Sequence, residues 1–361
     1  MNAERLRNLV EWLLDEESRL SIQDKLNQVV SSLENLGSNP QEQSYQTALA
    51  SNMAALSKAV TRDFYEQLTP AVREHFIDIG AWRYFSDELH TELGADISTN
   101  AMTPAVAAAS ARRVRDGRQK FLDTLRQTRD GLAGLGIQPD DLEEGDADIA
   151  FLIPRDLFHN HLGGLSKEFS VLDKIVRIYS EAVTGSVEEA DVKTISTTDP
   201  VITLAVSLLT IQAIGKSVTW LLDTWKKSLE IKSLRQQAKD AGFNDKELKV
   251  FDDKIERAVN AAITEKVGDI LAASPVEQAR KNELEKGLDW SLRALLSRIE
   301  RGMSVEIRLL PPARVAEDED VPDSQPYAEV QEIARQLVFP KPTGEPVLSL
   351  PEQPPEISAR L

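Results

Sequence analysis

The chain contains no cysteine. That excludes disulfides, thiolate nucleophiles, cysteine-ligated iron–sulfur clusters and cysteine-based zinc sites. Histidine is scarce too, with four in 361 residues. A transition-metal site would have to lean on carboxylates, and no cofactor is expected. Aromatic residues make up only 6%, a poor basis for sugar binding or for stacking bases. Positive charge is in short supply, since the net charge is −17. Nucleic acid and anionic lipid both reward a basic face, so nucleic acid is not an expected partner. No secretory leader is expected at the start, because Glu11, Asp15, Glu16 and Glu17 crowd the apolar stretch from Leu9 to Leu14. The lack of cysteine fits a reducing compartment, and the cytoplasm is the expected location.

What is present is helical periodicity. Leu6, Leu9, Val10 and Leu13 recur at helical spacing, then Leu26, Val29, Val30 and Leu33, with a break expected at Ser21. Further helices are expected over 41–67, over 70–93 with a kink at Gly80, and over 103–135. Thr69-Pro70 and Thr103-Pro104 mark two of the starts. These segments read as an antiparallel helical bundle over residues 1–137.

The pattern then changes. An acidic run from Asp140 to Asp148 leads into a short apolar stretch, Ile149 to Ile153. Helices are expected over 155–183, from Pro200 to about 239, over 244–272 and over 276–301. Gly163-Gly164 is a candidate break in the first. Short strands are expected near 148–153, 191–197 and 304–310, with the first and last paired. Residues 138–312 thus read as a long-helix unit with a small two- or three-stranded sheet. Ten of the 17 prolines fall in the last 51 residues. Residues 313–361 read as an acidic, proline-rich, disordered tail. The expected fold class is mainly α.

No motif in the chain carries chemistry on its own. Gly215-Lys216-Ser217 resembles the end of a phosphate loop, but the position needing the first glycine is Thr210, and Ile211 to Ile214 continue a helix. His159 and His161 lie two apart, so on a helix they cannot share a metal. The 140–148 run lacks the closing bidentate glutamate of a calcium loop. Arg112, Arg113, Arg115, Arg118 and Lys120 form a loose basic stripe expected to pair with the chain's own acids. No glycine-flanked serine elbow is present. Catalytic, cofactor and metal residues are therefore all read as none, and the chain leans away from being an enzyme. An enzyme with an unrecognised carboxylate site stays as a distant alternative.

Two segments invite functional readings. Within the tail, a helical island over 327–339 puts Val330, Ile333 and Leu337 on one face. It reads either as a short motif folding on a partner or as a helix docked on its own protein. The second segment is the apolar run Val201 to Leu222, about as long as a membrane span. Gln212, Lys216, Thr219 and Asp223 share one face of its second half, and a lysine inside a span costs about 3 kcal/mol. Only Val201 to Ile211 is apolar all round, rising about 16 Å against a bilayer core of about 30 Å. The expected state is a buried core helix, although the β-branched content lets its first residues be extended. A membrane-active effector using Val201, Leu204, Leu208 and Trp220 is the alternative. The leading expectation is a non-enzymatic interaction or assembly protein, binding a protein partner or itself through amphipathic helices and the tail. The mixed charges of 244–301 suit coiled-coil-like association.

Overall fold

The computed structural model describes residues 3–60, 68–139, 142, 146–196, 200–242, 245–309 and 325–340. Most of the expected acidic run at 140–148 and of the expected tail lies outside these residues. The chain divides into two compact units, Met1–Asp141 and Leu142–Leu361.

The first unit holds α1 (Ala3–Leu20), α2 (Ile22–Ser38), α3 (Gln43–Ala59), α4 (Pro70–Asp78), α5 (Trp82–Phe85), α6 (Asp87–Thr99) and α7 (Pro104–Gly134). The long α7 packs on α1, α2 and α6, and α2 packs on α3. The periodic residues Leu9, Val10, Leu13, Leu26, Val29, Val30 and Leu33 are buried in one core. The break at Ser21 is real, with Ser21 left-handed at φ 50°. Ser21 does not cap α2 through its side chain. Glu17 does that work instead, its carboxylate accepting from the Gln23 amide at 2.9 Å. The expected 70–93 helix is three pieces. Gly80 at φ 75° ends the first, and Ser86 starts the third by accepting from the Glu88 amide at 3.2 Å.

The second unit runs β1 (Asp148–Leu152), α8 (Arg155–Phe158), α9 (Leu162–Thr184), β2 (Asp191–Ser196), β3 (Val201–Ala205), α10 (Leu208–Asp240), α11 (Asp245–Ala272), α12 (Gln278–Ile299), β4 (Ser304–Arg308) and α13 (Gln325–Gln336). Helix predominates throughout, in agreement with the mainly α expectation. The four strands form one antiparallel sheet in the order β2-β3-β1-β4.

Two expectations need correction. The helix expected from Pro200 starts at Leu208, because Val201 to Ala205 are strand β3. Val201, Ile202 and Thr203 are β-branched, stiff at χ1 and better placed on a pleated surface. β3 pairs on both sides, with β1 and β2, so its backbone groups are satisfied without a helix. The helix start passes to Ser207, whose hydroxyl accepts from the Thr210 amide at 3.4 Å. The break in the 155–183 helix falls at His159 and Asn160, both at positive φ, rather than at Gly163-Gly164. Gly164 lies against α8 instead. A Cβ there would come within 2.5 Å of the Phe158 carbonyl oxygen, which only glycine avoids.

Two buried arginines fasten α12 to α9. Arg298 grips Glu168 with Nε–Oε2 at 2.6 Å and Nη2–Oε1 at 3.2 Å. Arg280 grips Glu181 at 2.6 and 2.9 Å. Both are forked contacts, the strong form of this pair. Removing one partner would leave an uncompensated buried charge, so they fix the antiparallel alignment of the helices.

Candidate functional site

The sheet brings polar side chains from distant segments of the second unit into one row. Its register sorts residues cleanly. One face reads Val192, Leu204, Ile149, Ile307 in the first row and Ile195, Ile202, Phe151, Val305 in the next. On β1, β3 and β4 that face belongs to the core, whereas Val192 and Ile195 of β2 are exposed. The opposite face reads Asp191, Ala205, Asp148, Arg308, then Thr194, Thr203, Ala150, Glu306.

Polar residues at the centre of this second face are nonetheless buried: Asp148, Thr203 and Arg308. Thr194 donates to Thr203 at 3.1 Å. Arg308 stands 3.9 Å from Asp148, too long for a close ion pair. Burial pushes the Asp148 carboxyl above its ordinary range; the charge of Lys193 opposes the rise and Asp146 adds to it. Lys193 is the extra residue of a bulge, where pairing with β3 skips from Val192 to Thr194. Among the described residues no group of three or more His, Asp or Glu is placed to hold a metal ion.

The motif residues are drawn into other duties. Gly215-Lys216-Ser217 lies within α10, where the backbone amides belong to the helix and are not free to cradle phosphate. Gly215 instead forms a notch. A Cβ there would sit 2.7 Å from Ile333 Cγ2 and 3.0 Å from Ile307 Cδ1. Lys216 and Gln212 both donate to the Glu329 carboxylate, Lys216 at 2.7 Å, which lowers the Glu329 pKa through the Lys216 bond and charge. Ser217 is buried near Tyr179, and neither hydroxyl makes a well-directed hydrogen bond. Burial raises the Tyr179 pKa strongly.

The helical island is therefore α13 seated on its own unit. Val330, Ile333 and Leu337, the residues expected to meet a partner, are buried in the core of the second unit. That corrects the partner-motif reading: in this state their apolar face is filled by α10 and β4. Val201, Leu204, Leu208 and Trp220 likewise do not share one helix, since the first two belong to β3 and the last two to α10. No helix among the described residues is long and apolar enough to cross a membrane.

Three residues of the basic stripe on α7 bind neighbours. Arg112 binds Glu34 and Arg115 binds Asp116. Arg118 is fully buried, a fact no sequence signal distinguished. It donates to the Tyr84 carbonyl at 3.0 Å, to Gln23 at 3.1 Å and to Glu17 at 2.5 Å. Its guanidinium lies 4.9 Å over the Phe85 ring. His159, Asn160 and His161 form an exposed turn.

A different feature comes from the helices. The last core residue of α10 is Trp225, with Leu229 packed at the margin. Between Glu230 and Ala258 no described side chain is buried. Leu234 in that stretch is 58% exposed. α10 continues about 16 Å past Leu229 with its described side chains half-buried or exposed, and α11 packs beside α10.

Fold and geometry together define a mainly α chain of two units, one of which carries a small antiparallel sheet and the long helices α10 and α11. No family model, curated protein or solved structure matches this chain.

Proposed function

We propose that this chain is a non-enzymatic helical interaction protein and that the α10–α11 hairpin is the element that meets its partner. The observation that carries the reading is the stretch from Glu230 to Ala258, where no described side chain is buried. Isolated helices of this length are marginal in water, and their stability comes from packing a face. A helix pair that leaves its own core gains that packing from another molecule. Leu234, exposed on α10, offers an apolar anchor. The described charged side chains of α10 past Trp225 are Lys226, Lys227 and Lys239 against Glu230 and Asp240, a net positive stretch in an acidic chain. The surface suits a helical protein with an acidic face, laid lengthwise to complete a bundle.

The test replaces Glu230 to Ala258 by a short turn and places a photo-cross-linking residue at Leu234 in the otherwise intact chain. Cross-linked species recovered from cell extract and sedimentation of both chains are compared. One defined cross-linked product, lost when the hairpin is shortened, is expected. Absence of any product from position 234, with unchanged copurification after shortening, would overturn the reading.

A further inference from the structure

The two edges of the sheet are finished differently. β4 lies under α13, with Ile307 and Ile333 meeting at the Gly215 notch. β2, at the other edge, has no strand beside it among the described residues. An open edge presents unpaired backbone N–H and C=O groups and is a template for another strand.

The side chains of β2 make this edge unusual. Residues three apart on a regular strand point to opposite faces. The bulge at Lys193 cancels that, so Val192 pairs with Leu204 and Ile195 with Ile202. Both therefore lie on the apolar face, in line with Ile149 and Phe151. The helices do not reach that far. Ile202 and Leu204 are 5% and 4% exposed, whereas Val192 and Ile195 are 55% and 51% exposed. Two more exposed apolar residues belong to the same end: Val187 at 41% and Leu209 at 44%. They are brought together by Glu188, whose carboxylate accepts from the Ser207 amide and hydroxyl and from Thr210 at the start of α10. An edge lysine ordinarily guards against pairing. β2 carries one such lysine, Lys193, the extra residue of the bulge.

We propose that β2 is a self-pairing edge: two copies of this chain join antiparallel through β2, making one continuous eight-stranded sheet about a two-fold axis. Val192 of one copy faces Ile195 of the other, and the reverse, so the exposed apolar row closes on itself. Asp191 then faces Ser196, and Lys193 faces Thr194, so no like charges stand directly opposite. The two-fold stands perpendicular to the sheet, which keeps both apolar faces on the same side. Such an isologous contact closes after two copies. It does not depend on the hairpin.

The experiment uses the full chain, and its lack of native cysteine makes disulfide trapping clean. Val192→Cys and Ile195→Cys chains are prepared separately, then mixed and oxidised, with Leu162→Cys as an exposed control. Preferential 192–195 linkage over 192–192 and over the control is expected, because opposed positions in an antiparallel pair lie about 5 Å apart. Sedimentation of the wild-type chain should show a concentration-dependent dimer that V192K/I195K removes, while its far-UV spectrum, and its melting temperature at dilutions where wild type is monomeric, stay unchanged. Wild-type monomer at every concentration, or random linkage equal to the control, would overturn the proposal. A dimer that survives V192K/I195K but is lost on shortening the hairpin would also overturn it and would favour the hairpin. Absence of any cross-linked product from position 234, with this dimer still present, would sink only the earlier reading.

Discussion

Substituting Gly215 by alanine is expected to loosen α13 while leaving α10 intact. A Cβ at this position meets Ile333 Cγ2 at 2.7 Å and Ile307 Cδ1 at 3.0 Å. The second atom ends a flexible side chain and can swing away. The first sits on a β-branched carbon with little rotamer freedom, on the buried face of a docked helix. Overpacking of this kind costs about 1–3 kcal/mol. Alanine also favours helix over glycine by about 1 kcal/mol. α10 is helical whether or not α13 is docked, so that gain cancels in the docking equilibrium. The clash alone sets it, and the docked fraction relative to undocked should fall roughly 5- to 150-fold. Global stability should fall by about 0–2 kcal/mol, the clash less the helix gain. Hydrogen exchange reads both quantities at once. Amides of Val330 to Gln336 should exchange faster, while those of Ile211 to Trp225 keep their protection. Gly215→Leu should enlarge the effect, and Ile333→Ala should shrink the Gly215→Ala penalty, a coupling that a double-mutant cycle measures. Unchanged α13 protection in both Gly215→Ala and Gly215→Leu would refute the notch.

Arg118→Met should destabilise the first unit by about 3 kcal/mol, because Glu17 and Gln23 lose the guanidinium they enclose; a change in thermal unfolding below about 1 kcal/mol would contradict that role. Tyr179→Phe should be neutral or stabilising within about 1 kcal/mol, since the buried hydroxyl lacks a well-directed partner; a loss above about 2 kcal/mol would reveal a bond there. Asp148→Asn tests pH dependence. A carboxyl whose folded pKa is raised contributes stability that is present below the unfolded value of about 3.9 and lost as pH rises through the folded one. The wild-type chain should therefore lose ground to Asp148→Asn as pH climbs from about 3 to neutrality. Parallel urea-unfolding curves across that range would reject the raised pKa.

Amphipathic helices were legible because their signal is local. Leu26, Val29, Val30 and Leu33 repeat at helical spacing and all enter one core. β3 was not legible for a physical reason. A strand buried on both faces and a buried helix are both continuous apolar runs, and periodicity cannot separate them. What decides for strand is pairing with β1 and β2, segments about ten and fifty residues upstream. The same holds for Arg118, whose neighbours Arg112 and Arg115 look identical in sequence. Only the placement of Glu17, Gln23 and Tyr84 selects it. Val192 and Ile195 mislead in the opposite direction. Their spacing puts them on different faces until a bulge at Lys193, invisible in composition, restores them to one.

Gln212 and Lys216 connect these threads. As sequence, they interrupt the apolar run after Pro200 and make it too short for a bilayer. As structure, they are the donors that receive Glu329 of α13. Side chains that would burden a spanning helix thus serve the docking of another helix. The upstream half of the run is held in the sheet by two neighbouring strands, so delivering Val201 to Leu222 to a membrane as one helix would mean breaking both strand pairings and releasing α13. Those losses fall on the core of the second unit itself, where Ile202, Leu204, Ile211, Ile214 and Val330 are buried together. An interaction that leaves this core intact must use what already lies outside it, and the hairpin beyond Trp225 and the edge of β2 are two such places.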